Sequence, residues 1–161
     1  MTVIEYNKCV DLYSNSIYRF ILKNIKDEEL SHDIIQETFL KMWEKVTEVS
    51  FDKAKTYLFT IAYHEMINTI RYYERSPMIE NPTEQEDIVY QKNFDVQNVL
   101  NQAVELLPED QKSVLLLRDY EGYSYQEIEK ITGLKESQVK VYIYRARLFL
   151  KQYIGKLENV I

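Results

Sequence analysis

Three glycines and three prolines in 161 residues are the tightest constraint on what this chain can fold into. Hairpin turns and the short loops of α/β units draw on those two residue types, so their scarcity makes an all-α fold the expectation. The length allows one domain of common size or two small ones. Pro77 and Pro82 fall within SPMIENPTEQEDIVYQ, an acid-rich stretch without apolar periodicity that reads as a linker. The expected organisation is two small helical domains, residues 1–75 and 97–161, joined by an acidic flexible linker over 76–96. Domains this small bury only about 60% of their unfolded surface, which favours contact with a larger partner.

Several function classes are hard to build from this composition. Lys, Glu or Asp interrupts every apolar run, so no membrane span and no direct membrane insertion is expected. Cys9 is the only cysteine and has no second thiol to pair with, and the first ten residues have neither a basic n-region nor an apolar h-region. Both features point to a cytoplasmic protein. His32 and His64 sit in separate predicted helices, and there is no glycine-rich phosphate loop, cysteine cluster or GxSxG. No catalytic residue, metal ligand or cofactor is therefore expected.

The helices follow from apolar spacing. Tyr6, Val10, Tyr13, Ile17, Phe20 and Ile21 recur at three- and four-residue steps and predict a helix over about 4–24. A second begins near Asp27, with Asp27, Glu28 and Glu29 at the positive end of its dipole, and buries Leu30, Ile34, Ile35, Phe39, Met42 and Val46. A third covers about 53–75, with Leu58, Ile61, Ala62 and Met66 inward. Beyond the linker, a helix over 96–107 stops at Pro108, and the next carries Val114, Leu115, Leu116 and Leu117 to Gly122.

Ser124 followed by Glu127 is a capping box, so a short helix runs from Tyr125 to Ile131, turns at Thr132 and Gly133, and gives way to a long one over 136–154. Two helices joined by a tight turn, the second basic, form the helix-turn-helix pattern. The net charge of −6 conceals how sharply charge is sorted here. Residues 137–156 hold Lys140, Arg145, Arg147, Lys151 and Lys156 and no acid at all. A local basic patch suffices for phosphate, because fields beyond about 10 Å are screened. Val139, Ile143, Ala146 and Leu150 make the packed face, which turns Lys140, Val141, Tyr144 and Arg145 outward. Cations, an aromatic and a small apolar group suit the major groove, with Arg147 and Lys151 flanking for phosphate. A solvated basic face needs no ligand, and on helix spacing alone the two readings are even. The cap, the turn and the single sign of charge together favour DNA.

Two further faces stand out in the N-terminal part. Asp33, Gln36, Glu37, Leu40 and Trp43 decorate a side of the second helix that the inward set does not use, an arrangement common at interfaces. Spacing alone favours Trp43 simply packing on the third helix. The third helix interleaves Tyr57, Phe59, Tyr63, Tyr72 and Tyr73 with Lys53, Lys55, Arg71 and Arg75, the rings and cations that suit an unpaired strand, with His64 and Asn68 four residues apart beside them. Most of these rings fit a core equally well.

Three blocks, DIIQETFLKMW (33–43), YLFTIAYHEMINTIR (57–71) and LPEDQKSVLLLRDYEGYSYQEIEKITGLKESQVKVYIYRAR (107–147), resemble the bacterial sigma factors of the extracytoplasmic-function group in order and spacing. The resemblance implies regions 2 and 4 of a minimal sigma factor that directs promoter recognition and transcription initiation. It implies that Asp33, Gln36, Glu37, Phe39, Leu40 and Trp43 contact core RNA polymerase through its largest subunit, and that region 4 meets the second largest. It implies a minus-ten contact by Tyr57, Tyr63, His64, Asn68 and Arg71, with one base flipped from the stack. Gln138, Lys140, Val141, Tyr144, Arg145 and Arg147 fall to the minus-thirty-five element, and an anti-sigma protein is an expected partner. The rival reading is a two-domain helix-turn-helix regulator that does not act as a polymerase subunit.

The chain departs from the family pattern at His64, where Asn is usual, and at Tyr63, which often has a basic counterpart. Glu129 stands in place of a small residue between the two helices of the motif, so its carboxylate must lean outward or the crossing must open. Lys135 stands near the cap of the last helix, with Ser137 as an alternative cap, and Tyr142 stands where Arg is common.

Overall fold

The computed structural model describes residues 1–75 and 96–160, and every regular element among them is helical. The linker expected from the sequence falls outside the described residues, except that Val96 already opens a helix. The first group comprises α1 (Val3–Ile25), α2 (Glu28–Glu44) and α3 (Ala54–Arg75), with a single 3₁₀ turn at Phe51–Lys53 leading into α3. The second comprises α4 (Val96–Glu105), α5 (Glu109–Leu115), α6 (Tyr125–Thr132) and α7 (Glu136–Val160). After Leu115 the backbone widens into one π turn, Leu116–Tyr120, where the sequence predicts an unbroken helix.

Local chemistry sets the helix ends. Thr2 and Glu5 form a reciprocal capping box on α1, and the Asp27 carboxylate accepts from the Leu30 N–H at 3.0 Å to start α2. The box predicted at Ser124 and Glu127 forms, with both bonds at 3.1 Å. Gly122 and Gly133 have φ of +77° and +79°, left-handed angles that glycine reaches without strain. Lys26 takes the same region at φ +60° to end α1, and its N–H donates to the Leu22 carbonyl.

The predicted inward residues Ile17, Phe20, Ile21, Ile34, Met42, Leu58, Ala62 and Met66 are buried in the first group. In the second, Val114 to Leu117 and Val139, Ile143 and Ala146 are buried with Ile128 and Ile131. The two apolar interiors run together. Phe59 of α3 is fully buried between Phe20 (ring centroids 5.6 Å) and Tyr123 (5.4 Å), the latter from the second group. Beside it the Asn24 amide donates to the Phe20 carbonyl at 2.8 Å and accepts from the Ser113 hydroxyl at 2.9 Å. Arg19 pairs with Glu121 at 2.9 Å, Lys26 with Glu105 at 3.1 Å, and the Lys23 ammonium sits 3.6 Å from the centre of the Tyr120 ring.

Replacing Ser124 with Ala removes one partner of the capping box and is expected to cost about 1 kcal/mol in chemical denaturation. Asn24→Ala strands the buried Ser113 hydroxyl and is expected to cost more, about 1–3 kcal/mol, by the same measurement.

Candidate protein and nucleic-acid interfaces

The outward face of α2 is built by its own geometry. Asp33, Gln36, Glu37, Leu40 and Trp43 recur at steps of three and four and so share one side. Leu40 and Trp43 are 50% and 43% exposed, although both are large and apolar. Trp43 leans on Tyr6 of α1, with ring centroids 5.0 Å apart. Tyr6 in turn donates its hydroxyl to the Phe39 carbonyl at 2.8 Å. The result is an apolar groove between α1 and α2, lined by Tyr6, Val10, Ile35, Phe39, Leu40 and Trp43. Tyr6 shapes this groove yet reads as a core residue in the sequence, because its periodicity matches that of its buried neighbours.

On α3 the sequence-predicted residues divide. Tyr57, His64, Asn68 and Arg71 lie seven, four and three residues apart and form one stripe, in which His64, Asn68 and Arg71 are exposed and Tyr57 is half-buried. Tyr63 is one residue, or about 100°, away from His64 and is only 6% exposed. Burial pushes its phenol pKa up, and the Asp110 carboxylate of α5 adds to the shift. A second open groove, between α2 and α3, joins the two predicted faces, with Asp33 and Glu37 on one wall and Glu65, Asn68, Tyr72 and Tyr73 on the other. Lys41 reaches across to Glu65, whose carboxylate raises the lysine pKa.

The second helix of the helix-turn-helix presents Gln138, Lys140, Val141, Tyr144 and Arg145 to solvent, with Val141 at 44% and Tyr144 at 68% exposure. Leu148, at 42%, continues the same face one turn beyond Tyr144 and escapes the sequence reading. Two of the cations are tied back: Lys140 lies 3.4 Å from Glu136 and faces the Tyr125 ring, and Arg147 binds Asp119 through two nitrogens at 2.6 and 3.2 Å. The Asp119 carboxylate raises the Arg147 pKa further. Twenty-eight residues separate that pair, so no local pattern reveals it. Glu129 is exposed, its side chain turned to solvent. Lys135 holds the cap position, its carbonyl accepting from the Val139 N–H, while Ser137 already lies inside α7 and is not the cap.

Among the described residues no group of three or more metal-ligating side chains occurs, and no helix is long and apolar enough to cross a membrane.

Residues 9–76 match the family of sigma-70 region 2, and residues 97–150 match that of sigma-70 region 4. The chain is thus a member of the sigma-70 family, with both regions in the family's order. Its similarity to curated proteins extends over nearly its whole length. It is 27% identical to the ECF RNA polymerase sigma factor SigM of Bacillus subtilis, covering 92% of this chain and 94% of that one. It is 29% identical to the RNA polymerase sigma factor YlaC of the same organism, over 89% and 88% of the two chains. A crystal structure of the sigma factor RpoE with the anti-sigma factor NepR from Bartonella quintana has the same fold, with a TM-score of 0.75 at 22% identity over 95% of this chain and 98% of that one. The chain belongs to the extracytoplasmic-function sigma factors, which direct transcription initiation by RNA polymerase.

Cys9 is fully buried, its Sγ 4.0 Å from the Met1 Sδ, and burial pushes the thiol pKa up. Alkylation by a maleimide at pH 8 is therefore expected to follow unfolding and to run far slower than for a free thiol, as read by mass spectrometry with and without denaturant.

Proposed function

We propose that this sigma factor divides its work among three faces: the α2 face holds core RNA polymerase, the α3 stripe takes the minus-ten element, and the α7 face takes the minus-thirty-five element. The observation that carries this reading is that each of the three family-like blocks offers an exposed face that the fold itself does not use. On α2, an aromatic and an aliphatic anchor ringed by Asp33, Gln36 and Glu37 fits a protein partner of mixed apolar and basic character. On α3, an exposed imidazole, amide and guanidinium in line with Tyr57 suit a separated strand. On α7, the cations lie along one side of a helix that fits the major groove. The protein supplies recognition and leaves catalysis to the polymerase, and it works in the cytoplasm.

The apolar groove between α1 and α2 also suits an anti-sigma protein, which would silence the factor by occupying the polymerase face. The solved relative RpoE is bound to such a partner, NepR.

The two promoter elements lie about 25 base pairs apart, or about 85 Å at 3.4 Å per pair. A compact chain of this length has a radius of gyration of only about 15 Å. Holding both elements at once therefore requires the two helical groups to part at the Phe59–Tyr123 junction, and the segment between them, extended, spans about 70 Å.

Two sets of substitutions separate the assigned roles. Lys140→Ala with Arg145→Ala is expected to reduce transcription at least tenfold from promoters that depend on the upstream element, while co-elution with core polymerase persists. Leu40→Glu with Trp43→Ala is expected to abolish co-elution and leave salt-dependent binding to duplex DNA unchanged. Loss of both activities in both variants would reject the division of roles.

A further inference from the structure

Gln138 is the third residue of α7, in the first turn of the helix, where side chains of helix-turn-helix proteins reach base edges. It is exposed, and its Nε2 donates a hydrogen bond to the Tyr142 hydroxyl one turn on, at 2.9 Å. The Tyr142 ring is half-buried against the hydrophobic core, so the hydroxyl is held at a fixed place beside a side chain that would otherwise turn freely. We propose that Tyr142 is a positioning residue that aims the Gln138 carboxamide at an adenine of the upstream promoter element. The inference rests on the assignment of α7 to that element.

A glutamine amide has two N–H donors and one carbonyl acceptor. One N–H goes to Tyr142, and the exposed amide keeps its second N–H and its carbonyl for a base edge. Adenine presents the matching pair in the major groove, an N7 acceptor beside an N6 amino donor. Guanine presents two acceptors, N7 and O6, and its O6 would face the amide carbonyl, oxygen against oxygen. The opposite rotation of the amide, with its carbonyl on the tyrosine hydroxyl, would turn the amino group outward and favour acceptors such as those of guanine. The direction of the Gln138–Tyr142 bond thus sets which base is read.

Two of the neighbouring cations are already engaged within the protein. Lys140 is drawn to Glu136 at 3.4 Å, and Glu136 also takes the Gln126 amide at 3.1 Å, so the lysine rests toward the flank of the helix. Arg147 is held by Asp119. Val141 is exposed three residues beyond Gln138 and supplies the apolar contact that a thymine methyl next to the read adenine would meet. Tyr142→Phe keeps the ring and its packing and removes only the hydroxyl that accepts from Gln138, which makes it the informative variant.

The test uses the full chain with core RNA polymerase on a promoter library randomised across the upstream element, its downstream part taken from start sites mapped on genomic fragments. Sequencing the transcripts gives the base preference at every position. Wild type is expected to require adenine at one position. Gln138→Ala is expected to lower that discrimination about tenfold, and Tyr142→Phe to lower it about three- to fivefold at the same position and no other. In the Gln138→Ala background, Tyr142→Phe is expected to add nothing. Lys140→Ala, by contrast, lowers output from all library members alike. Unchanged discrimination in Tyr142→Phe beside a relaxed Gln138→Ala would overturn the positioning role. A requirement for guanine at the Gln138-dependent position would overturn the adenine assignment. Transcript starts no different from those of core polymerase alone, for wild type, would remove the sigma-factor reading of α7 itself.

Discussion

The packing of Phe59 between Phe20 and Tyr123 is the contact on which the arrangement of this protein depends. Each helical group is small enough that a core of its own is marginal, and a fully buried phenylalanine shared between them contributes about 1.5–3 kcal/mol to whichever state keeps it dry. The polar contacts around it add direction. Asn24 is 3% exposed and satisfies both ends of its amide, one within α1 and one across the junction on Ser113, so any other docking angle would strand a buried polar group. Lys26–Glu105 is exposed and contributes little energy, whereas the Glu121 carboxylate is buried and would be left unpaired if docking misplaced Arg19.

Much of this was legible in the sequence, for identifiable reasons. The helices and most of their buried residues follow from apolar periodicity, and the turn at Gly133 and the cap at Ser124 follow from local chemistry that needs no tertiary information. The outward faces of α2 and α7 were legible too, because a residue off the inward stripe of a helix has nowhere else to point. What the sequence concealed depends on contacts far apart in the chain. The Asp110 carboxylate that raises the Tyr63 pKa, the restraint on Arg147 by Asp119, and the groove that Tyr6 forms beside Trp43 all come from distant parts of the chain. The π turn at Leu116–Tyr120 falls in a run of leucines that fits an ordinary helix equally well.

The split within α3 shows how much a single residue step matters on a helix. Tyr63 and His64 are adjacent, yet one is buried and the other faces solvent. A sequence block aligned with a functional motif does not reveal which of its members share a face. That follows from the rotation of about 100° per residue together with what packs on each side. Here the stripe takes half-buried Tyr57 with exposed His64, Asn68 and Arg71, while Tyr63 is buried.

The junction also links assembly to recognition. The α2 face and the α7 face are exposed while the two groups are docked, so meeting a protein partner or a single stretch of DNA requires no rearrangement. Engaging two sites about 85 Å apart does, and the free energy of exposing Phe59, Tyr123 and the Asn24–Ser113 bond must then come from the partner. A binding-competent state populated as a fraction f weakens apparent affinity by the factor 1/f. Every kilocalorie stored in the junction thus disfavours two-site DNA binding by the free protein, and under the proposed division of roles the polymerase, by holding the α2 face and drawing the second group away, supplies that energy.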